Sequence, residues 1–174
     1  AIANIIRSIY IVLLIPVQAL STTANTLVSN LIGAGGINHV MKLMNRISKV
    51  SIIIVLICIG ILLIKPQFFL SVYTNDPQLV SGSIPSLYII CIAMFLAAVS
   101  NIYFNGISGT GNTQAALFLE TGILIIYAIY VLWIGLWVKA PVYICFTAEI
   151  LYYVFMLFAS VIYLKKAKWQ NKRI

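Results

Sequence analysis

Acidic residues are almost absent: Asp76, Glu120 and Glu149 are the only three in 174 residues. All charged side chains together make up 8% of the chain, where a soluble domain carries about a quarter. So little charge cannot cover a water-facing surface, which argues against a soluble globular protein. Histidine occurs once, at His39, and cysteine three times, at Cys58, Cys91 and Cys145, each within an apolar run. A lone histidine and an odd number of scattered thiols give neither metal-ligand spacing nor a disulfide framework, so the cysteines read as small buried hydrophobes. There is no nucleophile elbow, phosphate loop or pair of metal ligands, and the sequence offers no support for enzymatic chemistry or for a cofactor.

What the chain has is apolar length. It is 63% hydrophobic, with a mean hydropathy of +1.09. That composition predicts an all-α integral membrane protein with about five transmembrane helices, over residues 2–32, 40–64, 78–108, 113–138 and 141–164. The lipid bilayer is its first partner. The net charge of +8 is concentrated rather than spread, since five of eleven basic residues lie in the tail 165–174: Lys165, Lys166, Lys168, Lys172 and Arg173. With Lys42, Arg46 and Lys49 of the first loop they make eight cations on one side, against Arg7, Lys65 and Lys139 on the other. The positive-inside rule then predicts a multi-pass protein of the cell's inner (plasma) membrane, with the first loop and a basic tail in the cytoplasm. No nucleic-acid module accompanies the charge. No cleavable signal peptide is visible, and the chain opens without methionine inside an apparent helix, which suggests a piece of a longer protein.

The first span carries Pro16 at mid-length and a ladder of Gln18, Thr22, Asn25 and Ser29 at helical spacing. Polar groups in hydrocarbon need partners, so this stripe is expected against other helices or a watery cavity. Proline lacks a backbone donor and crowds the carbonyl four residues earlier, which makes Pro16 either a passive bend or a hinge. After the stop at Gly33-Ala34-Gly35-Gly36, the segment 38–49 alternates His39, Lys42, Arg46 and Lys49 with apolar residues, an amphipathic entry suited to anionic headgroups. The cluster Phe68, Phe69 and Tyr73 predicts a short interfacial helix, and Asp76-Pro77 a capped helix start. Met94, Ala97, Ala98, Asn101 and Asn105 share a face of the third span, expected toward a cavity, with the asparagines bonding across helices. Gly106, Gly109 and Gly111 predict a tight turn before Thr113, and Trp133 and Trp137 an interfacial anchor.

Two of the acids fall inside spans. Glu149 follows Pro141 by eight residues, about 12 Å along a straight helix. A charge at mid-span costs on the order of 3 kcal/mol and desolvation favours the neutral carboxyl, so Glu149 is a candidate carrier of a proton or cation. Tyr152, Tyr153 and Met156 share its side and offer π faces and a pliable thioether to a lipophilic cation. A structural hydrogen bond to a neighbouring helix is the competing reading. Glu120, nearer the cytoplasmic end of its span, is the second coupling candidate, through a gate salt bridge.

Two segments carry a resemblance to a known family. PVQALSTTANTLVSNLIGAGG, followed by the basic amphipathic entry, resembles the eighth helix of multidrug and toxic compound extrusion (MATE) transporters. NGISGTGNT, with Gly106, Gly109, Asn112 and Thr113, is similar to the turn between their tenth and eleventh helices, at slightly different spacing. The resemblance covers nearly the whole chain and implies helices eight to twelve of a twelve-helix, two-lobe transporter, partnered by an N-terminal lobe and a seventh helix. It implies secondary active efflux of cationic amphiphilic small molecules in exchange for H⁺ or Na⁺ by alternating access. On that reading Gln18, Thr22, Asn25, Asn101, Asn105, Tyr152, Tyr153 and Met156 line the substrate path. Many relatives carry a carboxylate in the tenth helix, near Ala97 or Ala98, where this chain has none. Lipid-linked oligosaccharide flippases belong to the same superfamily and are the alternative, though Arg7 is the sole cation placed to hold a pyrophosphate. A non-transporting membrane fragment is the third reading.

Overall fold

The computed structural model describes residues 1–166. The chain is all-α: among the described residues there is no strand, and five helical stretches are long and apolar enough to cross a membrane. Lys168, Lys172 and Arg173 of the predicted tail lie outside the described residues, while Lys165 and Lys166 end the last helix, exposed.

Helix α1 (Ile2–Gly33) runs without interruption through Pro16. It stops where Gly35 adopts φ 80°, with Gly35 N–H bonded to Ile32 O at 2.9 Å and Gly36 N–H to Leu31 O at 2.8 Å. This pair of bonds is a Schellman stop, which uses a left-handed glycine to satisfy the last carbonyls of the helix. A single 3₁₀ turn, Ile37–His39, leads into α2 (Val40–Ile64). Lys65 is held extended before Pro66, which opens the short helix α3 (Pro66–Ser71). Helix α4 (Pro77–Gly109) starts as the sequence predicts, with Asp76 Oδ1 accepting from Gln78 N–H at 2.9 Å and proline in the first position. Helix α5 (Thr113–Leu132) runs into one π-helical turn, Trp133–Val138, and Lys139 turns the chain with φ 48°. The last stretch is broken: α6 (Val142–Cys145) and α7 (Thr147–Lys166) meet at Phe146.

Helix α4 is the axis of the bundle, packed chiefly against α1 and α7 and then against α2. Its small residues Ala93, Ala97, Ala98, Ser86 and Ser100 are buried and let the neighbouring helices approach closely. The expected cavity face of this helix is therefore its packed face. Met94, Ala97, Ala98 and Asn101 are closed in because helices surround α4. Within α4, Asn101 Nδ2 donates to Ala97 O at 3.1 Å and Asn105 Nδ2 to Asn101 O at 3.0 Å, so the Asn105 amide bonds along its own helix.

The glycines of the second turn divide in the same way. Only Gly111, with φ 77°, belongs to the turn. Gly109 is still helical, and a Cβ there would lie 2.7 Å from Asn25 O and 2.9 Å from Val28 Cβ of α1. Backbone thus meets backbone, and Ser29 Oγ donates to Gly109 O at 3.0 Å across the contact. Gly106 leaves room for the Met44 thioether. The bundle's apolar core falls into two clusters, one around Ile6, Ile90, Met94 and Met156, the other around Val28, Met44, Ile102 and Ile107.

Candidate functional site

The chain between Pro141 and Glu149 forms two helical pieces, α6 and the start of α7, separated by one residue. Helix α6 ends at Cys145, Phe146 keeps right-handed helical dihedrals (φ −70°, ψ −12°), and Glu149 falls in the first turn of α7 with its N–H on Phe146 O at 3.2 Å. The carboxylate therefore lies near the start of α7 inside an otherwise apolar stretch.

Two tyrosines from other helices reach it. Tyr10 Oη of α1 donates to Glu149 Oε2 at 2.8 Å, and Tyr127 Oη of α5 donates to Oε1 at 3.1 Å. Tyr10 Oη also lies 2.5 Å from Tyr153 Oη of α7, and the Asn101 side chain of α4 makes a further polar contact with that hydroxyl. Donor and acceptor chemistry sets the direction of this chain. If Tyr10 donates to the carboxylate, its oxygen must accept, so Tyr153 donates to Tyr10 and leaves its own oxygen for the Asn101 amide. One carboxylate thus joins α1, α5 and α7 and reaches α4 through two hydroxyls. Tyr152 packs edge-on to both Tyr127, centroids 5.8 Å apart, and Tyr153, 5.2 Å apart. Behind the site, Tyr130 Oη lies 3.0 Å from Thr147 Oγ1, tying α5 to the start of α7.

The structure gathers some of the sequence-predicted residues and separates others. Glu149, Tyr152, Tyr153 and Asn101 come together. Met156 is 2% exposed and belongs to the apolar core beside them. Asn101, Tyr153 and Met156 are thus closed inside the helix packing rather than open to a path, because α1 and α7 fold onto α4 at that level. Glu120, in the second turn of α5, stands apart: it is half-buried and within electrostatic reach of Tyr152. It forms no hydrogen bond or ion pair among the described residues, so the gate salt bridge with the first loop is not present.

Gln18 and Thr22 lie on the exposed side of α1, Asn25 is half-buried, and Asn105 is half-buried near the end of α4. The Thr22 and Thr26 hydroxyls turn back to Gln18 O at 2.9 Å and Thr22 O at 3.3 Å, so the ladder partly satisfies itself.

At the opposite end of the bundle, neutral groups make the crossings. Tyr103 of α4 donates to Asn45 Oδ1 of α2, and Asn112 Nδ2 donates to Tyr163 Oη of α7. Asn112 precedes α5 but spends its amide on this interhelical bond rather than on a cap.

Sequence reasoning missed Tyr10 and Tyr127. A weak signal existed in chemistry alone: Tyr10 and Tyr127 are polar-tipped residues inside apolar spans that also hold the costly charge of Glu149. A buried tyrosine needs a partner for its hydroxyl.

No curated protein and no solved structure matches the chain. The MatE family model matches residues 1–134, more than half of the chain. With five apolar helices and this match, the chain belongs to the MatE family and is a multi-pass membrane protein of the MATE transporter superfamily.

Proposed function

We propose that the chain forms part of the C-terminal lobe, helices eight to twelve, of a secondary active multidrug exporter that exchanges cationic amphiphilic compounds for protons by alternating access. The observation that carries this reading is the Glu149 carboxylate held by Tyr10 of α1 and Tyr127 of α5. In the ionised state the carboxylate accepts both bonds and clamps three helices. A proton on Oε2 turns that oxygen into a donor toward Tyr10 and reverses or weakens the Tyr10–Tyr153 pair, whereas a proton on Oε1 weakens the Tyr127 bond instead. Protonation therefore differs in free energy between a clamped and a released arrangement, which is what biases two conformers. One proton moving down a 100 mV potential supplies about 2.3 kcal/mol, enough for an uphill substrate ratio of tens. The hydroxyl chain favours a proton over Na⁺, since a single carboxylate ringed by tyrosine donors offers an alkali cation few free oxygens. The exposed polar side of α1, Gln18 and Thr22, then faces the substrate path between the lobes, in the inner membrane with the basic loop on the cytoplasmic side.

The test is Glu149→Gln in the full-length transporter reconstituted in vesicles. Proton-driven efflux is expected to fall at least tenfold while binding of a lipophilic dye cation persists. Unchanged proton-coupled efflux at equal protein would overturn the assignment.

A further inference from the structure

The strongest charged feature outside the Glu149 site lies at the far end of the bundle. The last turn of α1 and the start of α2 border a pocket of about 250 Å³ lined by Leu31, His39, Lys42, Leu43 and Arg46. His39, Lys42 and Arg46 recur every three or four residues, so they rise on one face of the helix entry. All three are exposed, and among the described residues none forms an ion pair or a side-chain hydrogen bond. Among the described residues no carboxylate lies beside the pocket: Asp76 caps α4 at the opposite end, Glu149 lies at the start of α7 at that same opposite end, and Glu120 stands two turns up α5. Lys165 and Lys166 add further positive charge at the pocket's end of the bundle, where α7 finishes beside Asn112.

The same helix face then changes character. Continuing from Arg46 at helical spacing, Val50, Ile53 and Ile57 are 49%, 58% and 57% exposed. A cationic patch that passes directly into an open aliphatic stripe has the profile of a headgroup above its acyl chain. A soluble anion would use only the first half.

We propose that this pocket binds an anionic phospholipid, with Lys42 and Arg46 on the phosphate, His39 as a further donor, Leu31 and Leu43 against the glycerol end, and one acyl chain along Val50, Ile53 and Ile57. The site ties the α1–α2 corner to the headgroup layer through a single bound lipid rather than through diffuse surface charge.

The test uses the full-length protein purified in mild detergent, with native mass spectrometry reading the lipids retained from equal mixtures of phosphatidylglycerol and phosphatidylcholine. Wild type is expected to retain phosphatidylglycerol with a preference on the order of tenfold or more. The double substitution Lys42→Gln and Arg46→Gln should abolish that preference, Arg46→Gln alone should reduce it, and both proteins should show wild-type thermal unfolding in phosphatidylcholine. Inorganic phosphate and glycerol phosphate in excess should fail to displace the lipid. Equal retention of the two lipids by wild type, an unchanged preference in both variants, or displacement by inorganic phosphate would each overturn the proposal, the last by marking a soluble-anion site.

Discussion

Helix α1 is fastened twice, and the two fastenings are built on different physics. Near its end, Asn25 and Val28 meet Gly109 of α4 backbone to backbone, with Ser29 bonded across. Near its start, Tyr10 is held to α7 by a hydroxyl and a carboxylate. The first contact depends on shape and has no titratable member. The second includes the Glu149 carboxyl, and on the proposed mechanism its hydrogen bonds change direction with a proton. Pro16 lies between them in the sequence, where it leaves the Val12 carbonyl without its usual helical donor. On the proposed mechanism, α1 would swing about its packed end as the bond at the other end changes.

The largest effect should come from breaking the fixed end. In Gly109→Val a branched side chain would enter where a Cβ already meets Asn25 O at 2.7 Å, and backbone cannot rotate away. Overpacking of this kind costs about 1–3 kcal/mol or more, so the detergent-solubilised protein should unfold several degrees lower, equally at acid and neutral pH. An unchanged melting temperature would show that α1 and α4 are not in contact.

The next effect probes the proton-sensitive end. Tyr10→Phe removes a donor to a charged acceptor, worth about 1.5–3 kcal/mol while the carboxylate is ionised. A hydroxyl bonded to a carboxylate is held more strongly than one bonded to a neutral carboxyl, so the loss should be larger where the Glu149 carboxyl is ionised. Transport measured across pH should therefore show its deficit on the alkaline side. A deficit of equal size at every pH would make Tyr10 a packing residue and erase the contrast between the two ends.

A smaller, pH-independent effect is expected from Tyr103→Phe, which removes a neutral bond to Asn45 worth about 0.5–1.5 kcal/mol. Thermal unfolding at two pH values reads it, and pH dependence there would blur the distinction. The smallest change in stability belongs to Pro16→Ala, which restores the helical donor to Val12 and leaves the fold intact. Its signature is kinetic: slower exchange at unchanged substrate affinity. Full activity would reduce Pro16 to a passive bend.

Much of this architecture was legible in the residues themselves. Apolar length dictated the five spans, since a segment of that composition has no stable alternative to helix in hydrocarbon. Local chemistry dictated the stop at Gly35 and the start at Asp76, because a left-handed glycine and a capping carboxylate act within a few residues of themselves. Glu149 stood out for the same local reason, as a charge where charge is costly.

Only the tertiary structure decided what those groups touch. Tyr10 and Glu149 are 139 residues apart, and Gly109 meets α1 across 80 or more, so neither pairing leaves a trace in local periodicity. The face of α4 that looked ready for a cavity became the packed centre, because small residues admit water and neighbouring helices equally well and the sequence alone does not say which arrives. The meeting of Glu149 with Tyr10 and Tyr127 likewise followed from how α1, α5 and α7 pack, because the three residues lie on different helices.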